Sequence, residues 1–216
     1  MDPDGTLYAS GIGGGVFRRK AGKTAFESFS AGLPEKNLNV YRVVRSPDDS
    51  LYATVTARWE AEKQNALPGG VFRYDETTAA WRKLPLPPEV IYPVNLGFSD
   101  DGSELLIACF QQWRERRRTG TGAYASPGLW RSGADGKNAK KLLDQVPVFE
   151  AKFIPGASGE ILAGTVGWGL LRGGDGGFRR VPGCPPGSVH NVVFDPADPA
   201  TVYLTTFGQG IWKGSL

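Results

Sequence analysis

The side chains in this sequence that could do chemistry sit in two kinds of place. Three tryptophans, Trp59, Trp113 and Trp168, fall in segments that read as connections between strands. Trp59 is in the insertion ARWEAEKQNALPG (57–69), Trp113 in QQWRERRRTGTGAYASPG (111–128), and Trp168 in the short VGWGLL. An aromatic face stacks on the apolar face of a pyranose ring, so tryptophans gathered on one rim would suit a glycan; the competing reading is that they cover the core. Glu60, Glu62 and Glu115 share these insertions and could supply the acid and base of glycoside hydrolysis. As loop charges they also read simply as solvated. The second place is a set of short apolar runs, NVYRVVRS, PVNLGFS, FEAKFIP and HNVVFDP. Aligned on the residues before their turns, they put Arg42, Asn95, Glu150 and Asn191 at one position, with His190, the single histidine, beside it. Such a polar ring, with one base and one acid, could bind a polar ligand or merely line a wet channel.

What must position these residues is a repeat. The phrases GVFR at Gly15, GVFR at Gly70, GLWR at Gly128, GLLR at Gly169 and GIWK at Gly210 recur at spacings of 55, 58, 41 and 41 residues. Ahead of each lies a second apolar run: LYAS, LYAT, LLIA, ILAG and VYLT. A period near 41, lengthened twice by insertion, is the mark of propeller blades. Each unit reads as four strands, the inner run above, the LYAS type, the GVFR type and an outer strand at AFESFSAG, AWRKLPL, AKKLLDQ or FRRVPG. The acidic turns SPDDS, SDDGS and PADPAT follow the inner strands, where Asp and Gly supply hairpin backbone angles.

The expectation is therefore an all-β propeller of about five four-stranded antiparallel blades, at 1–37, 38–91, 92–147, 148–187 and 188–216. The second and third strands occur five times but the inner and outer strands only four, so the first and last blades are incomplete. An N-terminal propeller segment or a partner chain is expected to complete them; the alternative is a compact five-bladed ring.

Composition narrows the function classes. Thirty glycines and sixteen prolines against one methionine favour short strands and tight turns over helices. The formal charge of +3 is too small to imply nucleic acid or membrane. WRERRR (113–118) is short, broken by Glu115, and reads as a solvated loop. The glycine clusters GIGGG and GGDGG do not open helices, as a phosphate loop requires. Cys109 and Cys184 have no metal-ligand spacing and read as free thiols, and no cofactor or metal is implied. No apolar run approaches a membrane span and no signal peptide is visible; the chain reads as soluble, and secreted or periplasmic if a native N-terminus precedes Met1.

On these strands and turns the sequence resembles the Asp-box, or BNR-repeat, propellers of sialidase and xyloglucanase type. LLRGGDGGFRRV keeps Asp175, Gly177 and Phe178 of the family hairpin; LWRSGADGKNAKKL keeps Arg131, Ser132, Asp135 and Gly136; VFRYDETTAAWRKL keeps Asp75 and Trp81. The final unit, VVFDPADPATVYLTTFGQGIWKG, is similar to a closing blade of xyloglucanase-type hydrolases. The resemblance implies that Asp135 and Asp175 are turn residues, not catalysts. Neither the catalytic aspartates of the xyloglucanases nor the arginine triad of the sialidases maps onto a position here. The function expected is a non-catalytic module that binds a polysaccharide or another extended ligand through its loop face, with part of a glycoside hydrolase and a protein-interaction scaffold as alternatives.

Overall fold

A computed structural model describes residues 2–60, 62, 65–110 and 127–216. Every regular element among them is a strand. They form two compact units, one within Met1–Pro93 and the other within Val94–Glu115 and Ser126–Leu216.

In the first unit, β1 (Leu7–Gly11), β2 (Gly15–Arg19) and β3 (Glu27–Ser28) make a three-stranded antiparallel sheet. A second sheet begins with β4 (Val40–Arg45) and β5 (Leu51–Val55). The insertion then folds on itself as a separate hairpin of β6 (Arg58–Glu60) and β7 (Asn65–Leu67), before β8 (Gly70–Asp75) and β9 (Ala80–Lys83) complete the order β4-β5-β8-β9. The sequence reading took this insertion for loop throughout; its Trp59 pairs in register with Ala66.

The second unit holds three sheets. β10 (Pro93–Phe98), β11 (Glu104–Cys109), β12 (Gly128–Gly133) and β13 (Lys140–Asp144) form the first. β14 (Val148–Phe153), β15 (Ile161–Thr165), β16 (Leu170–Gly174) and β17 (Gly177–Arg180) form the next. β18 (Val189–Phe194), β19 (Thr201–Thr206) and β20 (Ile211–Ser215) form the last, which has three strands. The strand order within every sheet is sequential, as in propeller blades, and the first and last sheets lack an inner and an outer strand respectively.

Burial explains the sequence pattern. The second strands β5 and β15 are buried at every residue, so they read as continuous apolar runs with no alternation. The outer strands expose most of their side chains and can carry Arg and Lys. In the first unit Val16, Val40, Ala53, Val55, Phe72 and Trp81 share one core; in the second, Leu162, Leu170, Val189, Val192, Val202 and Leu204 share another. Neighbouring sheets meet closely at their inner strands. A Cβ on Gly97 of β10 would lie 2.2 Å from the Ala151 carbonyl oxygen of β14, so no larger residue fits there.

The turns after the inner strands share one device. In SPDDS, Asp48 accepts from the Ser46 hydroxyl and from the Ser50 amide at 3.3 Å. In SDDGS, Asp101 accepts from the Ser99 hydroxyl at 2.6 Å and the Ser103 amide at 3.0 Å. The next residue is left-handed in both, Asp49 at φ 68° and Gly102 at φ 71°, a conformation that short polar residues and glycine tolerate.

Candidate functional site

The bulges at the start of the inner strands position the most distinctive side chains of the second unit. In β14, Val148 pairs with Thr165 and Glu150 with Gly164, leaving Phe149 as an extra residue; in β18, Val189 pairs with Thr206 and Asn191 with Thr205, leaving His190. A bulge re-aims the side chain of the residue it inserts. Phe149 and His190 thereby meet, ring centroids 3.9 Å apart. Phe110, just after β11, stacks on Phe149 at 4.8 Å and 15° between planes, and Phe207, just after β19, stacks on His190 at 5.7 Å and 22°. The four rings form a ladder across the three sheets of this unit. Burial against it depresses the pKa of His190 below the ordinary histidine value. In the first unit the equivalent bulge holds Tyr41, which is 42% exposed.

Stacked rings cover one another's faces and leave mainly their edges to solvent, so the ladder's interior offers little flat surface. Its end does: Phe207 is 78% exposed. Trp168, 62% exposed, stands at the tip of the β15–β16 turn, at the same end of the sheets. Two related turns carry these rings. In TVGWG the Thr165 hydroxyl donates to the Gly169 carbonyl at 2.7 Å, and in TFGQG the Thr206 hydroxyl donates to the Gly210 carbonyl at 2.8 Å. Both turns are tied to one residue, Ser188: the Gly167 amide donates to its hydroxyl at 3.2 Å and the Phe207 amide to its carbonyl at 3.1 Å.

The polar positions expected to face a ligand are placed differently. Asn95 and Glu150 are buried, 1% and 5% exposed, not lining open solvent. The Glu150 carboxylate accepts from the Val192 amide of the next inner strand at 2.6 Å and lies 3.7 Å from the Lys152 ammonium. Asn191 donates from Nδ2 to the Thr205 hydroxyl at 2.7 Å. Asn95 accepts from the Leu96 amide at 2.9 Å, while its buried Nδ2 has no hydrogen-bond partner among the described residues. Arg42 is half-buried in the first unit, its amide donating to the Thr54 hydroxyl at 3.1 Å. Of the three tryptophans, Trp59 is half-buried in the β6–β7 hairpin of the first unit and Trp168 belongs to the second. Trp113 and Glu115 lie outside the described residues.

The ladder thus brings together His190 with three phenylalanines that sequence reasoning passed over. A signal was present: an aromatic ring follows Val40, Val148 and Val189, at the same place in three inner strands.

At the opposite end of the sheets the charges neutralise one another. Arg131 makes a two-pronged bond to Glu104, at 2.9 and 2.7 Å, and reaches Asp175 at 3.4 Å; Lys140 also meets Asp175, at 3.1 Å, and Arg172 pairs with Glu160. Of these, Arg131, Glu160, Arg172 and Asp175 line an open depression of about 630 Å³. Asp75 and Asp135 accept backbone amides two residues ahead, both at 2.9 Å, and so hold their turns between third and fourth strands, whereas Asp175, in the β16–β17 turn, pairs with Arg131 and Lys140 of the neighbouring sheet. Cys109 and Cys184 are free thiols, and burial pushes Cys109 up to about 12. Among the described residues no cluster of His, Cys, Asp and Glu is disposed to hold a metal, and no helix is long and apolar enough to cross a membrane.

No protein-family model matches the chain, and no curated protein matches it. Solved structures do. A GH74 xyloglucanase from Xanthomonas campestris is similar at 15% identity and a TM-score of 0.69, over 97% of this chain and 35% of that one. The extracellular domain of a B. thetaiotaomicron protein described as a one component system is similar at 17% identity and 0.67, over 99% of this chain and 26% of that one. A protein described as a gluconolactonase is similar at 18% and 0.57, over 99% and 71%. The chain spans about a quarter to a third of the first two. At such identities the likeness is one of fold: all-β, built of blade-like antiparallel sheets, of the type found in a xyloglucanase and in an extracellular domain.

Proposed function

We propose that the chain is a propeller module that binds a polysaccharide without hydrolysing it, at the end of the second unit where Trp168 and Phe207 are presented. The observation that carries this reading is the pair of exposed aromatic faces on two turns of the same build, both anchored to Ser188. Sugar recognition needs flat apolar surface on a rigid support, and the stacked ladder behind Phe207 supplies the support. Binding is favoured over hydrolysis because Glu150, next to Phe149, is committed to the Val192 amide. One of the similarly folded proteins is a xyloglucanase and another an extracellular domain; a secreted glycan-binding role accords with both. In this reading Asp75, Asp135 and Asp175 are worn Asp-box residues, of which Asp75 and Asp135 keep the turn-holding part.

The test is affinity electrophoresis and calorimetry of the chain with xyloglucan, other soluble β-glucans and chitin oligosaccharides. Retardation by at least one glycan is expected, with Trp168→Ala and Phe207→Ala each weakening it about two- to tenfold, as the loss of one aromatic contact implies. No retardation by any of them, or full binding by the double variant, would remove the proposal. Release of reducing ends would replace binding with hydrolysis.

A further inference from the structure

We infer that Lys83, laid across the bare start of β8, is a carbonyl-capturing lysine whose amine condenses with small aldehydes to an imine. The site lies in the first unit and is independent of the carbohydrate reading.

The repeat builds one arrangement three times. Where a third strand opens on glycine and is followed by a fourth strand, a basic side chain of the fourth strand lies over that glycine. A Cβ on Gly70 would come 2.6 Å from Lys83 Cε and 3.3 Å from its Nζ; on Gly128, 3.2 Å from Lys141 Cε; on Gly169, 3.4 Å from Arg180 Nε. Register sets this up in the first unit, pairing Phe72 of β8 with Lys83 of β9 two residues beyond Gly70. The apolar stem thus covers backbone that has no side chain of its own, and the charged tip is drawn partly out of water with it.

What the tip meets differs among the three copies. The Lys141 ammonium pairs with Asp144 and lies 5.4 Å from the centre of the Trp130 ring. Arg180 donates to the Cys184 carbonyl at 3.5 Å, and a guanidinium keeps its charge in any case. Lys83 has neither acid nor ring: among the described residues nothing pairs with its ammonium, and Asp75, the acid of its own hairpin, is taken by Arg82. Burial alone accordingly pushes the Lys83 pKa below the ordinary lysine value, with no charged group opposing it. The residue is still exposed enough to be reached from solvent.

A desolvated lysine without a counter-ion is the form in which this side chain acts as a nucleophile towards carbonyls. The ammonium gives its proton to water, and the neutral amine adds to the aldehyde carbon. The carbonyl oxygen then leaves as water with the two amine protons, and a C=N bond stands where C=O was. No oxidant or reductant enters this step.

The probe is glycolaldehyde, with cyanoborohydride added to reduce each imine to a stable amine, and adducts at every lysine are counted by peptide mass spectrometry across neutral to alkaline pH. Lys23, exposed, and Lys141, paired, are the references. In the folded chain at neutral pH Lys83 should label about threefold or more faster than either, because nucleophilicity falls only about half as steeply as the neutral fraction rises. Its labelling should also level off at lower pH than that of Lys23, and its lead should vanish in denaturing urea. Equal rates in the folded chain, or a Lys141 as fast as Lys83, would overturn the inference. A lead that survives urea would overturn it too, assigning the reactivity to Arg82 next in sequence and not to the seat over Gly70.

Discussion

Glu150 tests whether a charged residue on an inner strand serves the fold or a ligand. Its carboxylate is 5% exposed and accepts from the amide of Val192, itself 0% exposed, at 2.6 Å across two neighbouring sheets. Replacing it with alanine strands that amide where water cannot reach it, a penalty of ~1–3 kcal/mol for the desolvated donor, and also leaves the Lys152 ammonium without its partner. Glutamine keeps an acceptor oxygen and gives up only the extra strength of a charged hydrogen bond, ~1 kcal/mol. For a chain of this size 1 kcal/mol shifts the melting temperature by about 2–4 °C. Glu150→Ala should therefore melt roughly 2–12 °C below the parent and Glu150→Gln within about 4 °C of it, read by calorimetry at neutral pH, while glycan binding by Glu150→Gln is unchanged. Equal losses for both variants would show that the charge and not the acceptor matters, and an unshifted alanine variant would show that the bond to Val192 does not hold the two sheets together. Either result refutes the reasoning.

Two further perturbations address packing and pH. Trp81→Ala empties a buried indole site between Phe29 and Tyr74 and should cost ~3–5 kcal/mol in urea denaturation, whereas Trp81→Phe, which loses chiefly the bond to the Phe29 carbonyl, should cost ~1–3 kcal/mol. Asp101 is held at about 2 by the Ser99 hydroxyl first and the Ser103 amide and hydroxyl next. Because the folded carboxyl binds its proton more weakly than the unfolded one, at 3.8, its stabilising contribution is complete above 3.8 and disappears as pH falls through about 2. Carbon-detected NMR titration should find its midpoint there in the parent and nearer 3.8 in Ser99→Ala; an unmoved midpoint would deny the hydroxyl its part.

The strands were legible because full burial leaves a strong trace. A second strand buried at every residue needs apolar or small residues throughout, so LYATV and ILAGT announce themselves, and the glycine before each third strand gives the period. The fourth strands were legible from their mixed apolar and basic residues next to a turn. The β6–β7 hairpin was not, because a pair of three-residue strands in ARWEAEKQNALPG carries too few side chains for alternation to stand above loop composition. Strand existence depends on patterns over five or six residues, and this hairpin offers less than that.

The site was legible only to the nearest residue, and the bulge is the reason. Counting back from the turns aligned Arg42, Asn95, Glu150 and Asn191 along their strands, and register gives Arg42, Glu150 and Asn191 equivalent partners in Thr54, Gly164 and Thr205. Yet strict alternation then assigns the wrong neighbours to the open face, since one inserted residue re-aims the side chain at the insertion and the partner strand carries no mark of it. Hence the polar residues went inward, Glu150 to an amide and Asn191 to Thr205, and the ring faces that reach solvent belong to the bulge and its surroundings. His190 came into view only as a neighbour of Asn191, though it is the member of the pair that joins the ladder.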